Sequence, residues 1–106
     1  LRHGIHELTA AGEYVVSHYG KDVRAVAAGA VPFLKLMGIV CGGWLMTRSA
    51  LIAHEKVGTG ETAPFYPAKL VTARFYADHV LVAAQGLAAE VLNGGASTLA
   101  LDESQF

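Results

Sequence analysis

The stretch "LKLMGIVCGGWLM", Leu34 to Met46, holds twelve uncharged residues, one lysine and three glycines. Such a run can cross a membrane, line a cofactor site or form the inside of a helical bundle. A spanning helix needs about twenty consecutive apolar residues. Lys35 interrupts this run on its left and Arg48 closes it on its right, leaving twelve residues between them. Starting the window at Ala25 gains length but brings Pro32 and Lys35 near its centre, where a charge costs a few kcal/mol. Gly38 and Gly42 form a G-x-x-x-G, yet that motif carries weight only inside an apolar segment of about twenty residues. The run therefore reads as a bundle helix, and no membrane insertion is expected.

Glycine in a helix interior costs about 1 kcal/mol relative to alanine. Three within six residues call for a packing reason. Gly38, Gly42 and Gly43 are expected to face a close-packed helix, with Trp44 filling the space beside them.

The helical reading extends in both directions. Upstream, Ile5, Leu8, Gly12, Val15 and Tyr19 recur in steps of three and four, the spacing of one helix face. Gly20 suits the end of that helix and Asp22 can cap the next. From Asp22 to about Lys56 the residues favour or permit helix, with a kink or a short break expected near Gly29–Pro32, because a proline inside a helix removes a hydrogen bond and clashes with the preceding turn. "KVGTGETAPFYP" (Lys56 to Pro67) is a loop, its two prolines suited to a following first turn.

Beyond it Leu70, Ala73, Ala77, Val80, Ala84, Leu87 and Val91 make an apolar seam over three heptads, rich in alanine so that its neighbour must come close. Lys69, Thr72, Tyr76, His79 and Glu90 fall on the other side. Asn93 to Gly95 ends the helix, and Ser97 is expected to cap a last short turn. The expected fold is all-α: an antiparallel bundle of three long helices, the second kinked near Pro32, with a short C-terminal turn or helix.

Composition bounds the function. The chain has 106 residues, one domain's length, and begins at Leu1, so a fragment of a longer protein is expected. Hydrophobic residues make up 53% and charged residues 16%, against roughly 25% charged in a typical soluble domain. Such scarcity of charge points to surface covered by another domain or subunit. The eight lysines and arginines are scattered and the net charge is −1, so nucleic acid is not an expected partner. One cysteine, Cys41, cannot form an internal disulfide and fits a reducing cytoplasm.

Candidate chemistry is thin. His3 and His6 share a helix face beside Glu7, but no histidine has the glutamate three residues before it that two-metal carboxylate bundles use. Cys41 in its apolar helix is expected to be a buried, inert thiol. Asp78 and His79 are adjacent, so on a helix they diverge by about 100° and make no dyad. "VGTGET" lacks the lysine and hydroxyl residue of a phosphate-binding loop. Lys69 and Arg74 are candidates for contacts between domains, through a salt bridge to a facing glutamate or to a neighbouring domain. No catalytic, cofactor-binding or metal-ligating residue is expected in this chain.

Two blocks carry a resemblance. "AGAVPFLKLMGIVCGGWLMTRSAL" (Ala28 to Leu51) and "FYPAKLVTARFYADHVL" (Phe65 to Leu81) resemble the C-terminal helical extension of a subgroup of FAD-dependent acyl-CoA dehydrogenases, the methylthiopropionyl-CoA dehydrogenase-like enzymes. Pro32, Leu34, Gly38, the Gly42–Gly43–Trp44 step and the Ala-Arg-Phe-Tyr of the last helix carry it. The resemblance implies a parent that oxidises an acyl-CoA to its 2,3-enoyl form with FAD, its glutamate base and flavin site lying in other domains. It implies a cytoplasmic, homo-oligomeric enzyme, with the rest of the parent as this chain's partner. The extension itself would be a non-catalytic structural domain that packs on the catalytic core and aids oligomerisation or shapes the acyl pocket. The alternative is a free-standing helical module that dimerises through its alanine- and glycine-lined faces.

Overall fold

The organising element is one helix of 29 residues, Ala30–Gly58, about 43 Å long. It is α3 in a computed structural model that describes residues 1–106. Before it come α1 (Arg2–His18) and the short α2 (Val23–Ala28); after it come α4 (Phe65–His79), α5 (Ala84–Asn93) and α6 (Gly95–Thr98). A 3-10 turn, Leu81–Ala83, separates α4 from α5, and another, Glu103–Gln105, lies near the C-terminus. The chain is all-α, with no strand.

Local chemistry explains most boundaries. The Asp22 carboxylate accepts a hydrogen bond from the Ala25 amide at 3.2 Å and caps α2. Of the expected kink or break the chain takes a break, at Gly29, and Pro32 sits in the first turn of α3, where its missing N–H costs nothing. Pro64 and Pro67 likewise stand at the start of α4. Ser97 does not cap α6. It lies inside that helix, where its hydroxyl donates back to the Gly94 carbonyl.

The long third helix divides in two. Its seam runs from Leu70 to Val91, but the chain turns at Val80 (φ −108°, ψ −53°), giving α4 and α5 different neighbours. α4 runs back along the C-terminal half of α3, where Phe65, Tyr66 and Lys69 meet Ser49, Ile52 and Ala53. α5 packs on the N-terminal half of α3 and on α1. The turn carries Leu81 into the place where α1 and α3 are narrowest. A Cβ on Gly4 or Gly43 would lie only 3.3 or 3.0 Å from its Cδ1. Periodicity could not reveal this break, because a 3-10 turn interrupts a helix without spoiling its apolar spacing.

Only 11 of 106 residues are buried, and the core is Ala11, Leu36, Val40, Ala84, Ala88 and Val91. Alanines at three of these six positions let the backbones approach closely. The buried face of α1 is Gly4, Leu8, Ala11 and Val15, turned from the expected one, so that Ile5 and Tyr19 are exposed. The result is a plate of 66 × 28 × 14 Å, two helices thick, rather than a closed bundle. Its radius of gyration is 18.6 Å, against about 13 Å for a compact domain of this length.

Candidate docking surface

A plate this thin leaves apolar surface in solvent. The accessible area is 7328 Å², whereas a compact monomer of this mass exposes about 5,700 Å². The excess, roughly 1,700 Å², is about twice what one partner buries in a standard protein interface. It is not spread evenly. The outward side of α3 presents Leu34 (72% exposed), Met37, Gly38, Cys41, Trp44, Leu45 and Ile52 in succession. Where α1, α2 and the start of α3 meet, this side opens into a groove of about 470 Å³. All nine lining residues are hydrophobic, Val15, Tyr19, Val26, Phe33, Leu34 and Met37 among them.

The four residues around the glycine step behave differently from one another. Gly43 is buried against Leu81 and Leu1. Gly42 admits a side chain, not a backbone: a Cβ there would overlap the Tyr76 hydroxyl. That hydroxyl donates to the Ile39 carbonyl at 2.8 Å, using the second lone pair of a carbonyl already inside α3. Tyr76 is thus a half-buried clamp between α4 and α3, not a residue of the outer face. Its step of three from Ala73 and four to Val80 was the sequence signal for this. Gly38 has nothing within 4 Å of a Cβ position, and Trp44 is 51% exposed. Both lie on the side of α3 that neither α4 nor α5 covers, so within this chain they close-pack against no helix.

The other candidates lie apart. Cys41 is exposed rather than buried, because it points away from α4 and α5. Arg74 meets no facing glutamate. It pairs with Asp78 at 3.1 Å one turn along its own helix, at a solvated site where such a pair is worth little. Lys69 borders the small hollow between α3 and α4 formed with Ile52, Ala53, Phe65 and Tyr66. His3 faces Glu7 at 3.4 Å near the chain start, and His79 stacks on Phe75. No three histidine, cysteine or acidic side chains converge as a metal site would need. Near the C-terminus the Ser104 hydroxyl, and then its amide, donate to Asp102 and hold that carboxyl below its usual value of 3.8. Arg48 stands at the edge of the apolar side with its guanidinium 5.2 Å from the Trp44 ring centroid.

The sequence profile described as "Acetyl-CoA dehydrogenase C-terminal like" matches residues 1–102, nearly the whole chain. The chain belongs to this family. Within it, a curated relative is the 3-methylmercaptopropionyl-CoA dehydrogenase of Ruegeria pomeroyi (strain ATCC 700808 / DSM 15171 / DSS-3), 36% identical over 87 residues. The alignment covers 82% of this chain but 15% of that enzyme. This family domain therefore corresponds to a small part of a much longer dehydrogenase. No solved structure matches the chain significantly.

The apolar side of this acyl-CoA dehydrogenase C-terminal domain has the character of a surface made to be covered. α3 is also long and apolar enough to cross a membrane by length and composition alone. Two features favour a protein neighbour over lipid. Lys35 and Arg48 lie within the helix, and α4 and α5 already pack along one side of it.

Proposed function

We propose that this chain is the non-catalytic C-terminal domain of an acyl-CoA dehydrogenase and that it packs against the catalytic body of its parent. The observation that carries this reading is the excess of roughly 1,700 Å² of accessible surface over a compact monomer, which an interface of ordinary size would absorb. Membership of the family supports the rest of the parent as the partner. The parent oxidises an acyl-CoA thioester to its 2,3-enoyl form with FAD, in the cytoplasm and as a homo-oligomer. The domain's contribution is to complete the fold of that body, to support the contacts between subunits or to bound the acyl pocket.

FAD does not belong in the groove described here. Its nine lining side chains carry no cation and, apart from the Tyr19 hydroxyl, no donor for a pyrophosphate, which supports a cofactor site in the rest of the parent. Removing residues 1–102 from the full-length enzyme tests the reading. The truncated enzyme should still bind FAD, seen by flavin absorbance, but unfold at a lower temperature and expose apolar surface. An unchanged unfolding temperature with unchanged solubility would refute a packing role.

A further inference from the structure

The outward side of α3 has an order that composition does not explain. Leu34, Gly38, Cys41, Leu45, Arg48 and Ile52 follow one another in steps of four, three, four, three and four. That is the a/d seam of a helix–helix contact, and all its members are exposed, with only Ile52 at its end bordering α4. α3 thus carries two seams on opposite sides. The inner one, through Leu36, Val40 and Gly43, holds α4 and α5. The outer one, from Leu34 to Arg48, has no neighbouring helix.

We propose that this outer seam, with the adjoining apolar groove, docks onto a helix of the parent's catalytic body that carries a carboxylate opposite Arg48. The inference rests on the packing role proposed above and assigns the face that performs it. The occupant follows from charge. Arg48 is the one charged member of the seam, and its guanidinium has the Trp44 ring but no carboxylate. A second copy of α3 cannot supply one while covering the seam. Parallel pairing sets Arg48 against Arg48. Antiparallel pairing centred on Cys41 sets it against Leu34, stranding a charge on an apolar residue. An antiparallel register that brings it to Glu55 of another copy leaves Leu34, Gly38 and Cys41 beyond the overlap, because α3 ends at Gly58. A parallel one, offset by seven residues, sets the other copy's Arg48 against Cys41 in a head-to-tail contact that does not close. The relative's remaining length is the natural source of a complementary helix, since the matched segment is only 15% of that enzyme. Gly38, with nothing near it here, then has a role: it lets the docking helix approach closely at the middle of the seam.

The test is photo-crosslinking in the full-length enzyme, carrying Leu45→p-benzoyl-phenylalanine and made as a mixture of two isotopic forms. Phe75→p-benzoyl-phenylalanine, on the outer face of α4, reports on the opposite side. Adducts from position 45 to a peptide outside residues 1–106 are expected, and Arg48→Glu should lower their yield about tenfold while Arg48→Lys preserves it. Adducts joining position 45 to residues 34–52 of the other isotopic form would overturn the proposal in favour of self-association. No protein adduct from position 45, with capture of the catalytic body from position 75, would overturn the face and leave the packing role standing. Capture from neither position would overturn both.

Discussion

Gly42→Ala is the most informative single change in the domain, because two effects of known sign oppose each other there. Alanine is favoured over glycine in a helix interior by about 1 kcal/mol, so propensity alone predicts a gain. The new methyl, however, would overlap the Tyr76 hydroxyl and lie 3.1 Å from Cζ of its ring. Tyr76 must swing away, losing its 2.8 Å bond to the Ile39 carbonyl, worth about 1 kcal/mol net. The forced shift of a half-buried ring adds a further 1–3 kcal/mol or so, as overpacking does. The net expectation is a loss of about 1–3 kcal/mol, or some 4–20 °C in Tm for a domain near this size.

A double-mutant cycle isolates the cause. Tyr76→Phe alone should cost about 1 kcal/mol. Adding Gly42→Ala to it should cost less than in the wild type, because no hydroxyl remains to displace. The coupling should be about 1–2 kcal/mol, read from urea denaturation followed by circular dichroism. If Gly42→Ala raised stability, or the coupling were near zero, Tyr76 would not be seated against Gly42.

Leu36 is fully buried in a core of six residues, so Leu36→Ala should cost about 2–5 kcal/mol, measured by the same denaturation. Asp22→Ala removes the only side-chain cap of α2 and should cost about 1 kcal/mol, seen as roughly fivefold faster hydrogen exchange of amides in that six-residue helix. Asp102 has a lowered pKa, so its support for the Glu103–Gln105 turn is complete above 3.8, the ordinary value, and disappears as pH falls through the lowered one. An NMR titration of the Ser104 amide should show its midpoint below 3.8; a midpoint above that would refute the hydrogen-bonded turn.

Much of the fold was legible in sequence because helices are written in local terms. The cap at Asp22, the break beside Pro32 and the all-α class follow from residue chemistry within a few positions, as does a loop between α3 and α4, although it is shorter at both ends than the expected Lys56 to Pro67. Spacing alone did not give faces correctly. In α1, Ile5 and Tyr19 fit the period as well as Gly4 and Ala11 do, and only the small size of Gly4 and Ala11 lets Leu81 and α5 approach. Likewise a tyrosine in a charged neighbourhood reads as solvent-facing until Gly42, thirty-four positions earlier, is known to make room for it.

The sequence by itself determined that the chain is helical, that α3 is its longest apolar element and that its kinship lies with acyl-CoA dehydrogenases. Helix, cap and motif depend on neighbours in sequence, and those are always present. Only the tertiary structure decided which glycines are contact points and which are bare. It also decided that Cys41 and Trp44 look outward and that the plate is too thin to hide its own apolar residues. Those facts depend on which of two similar helix faces meets a distant partner, and α3, apolar on both, carries no local mark of the choice.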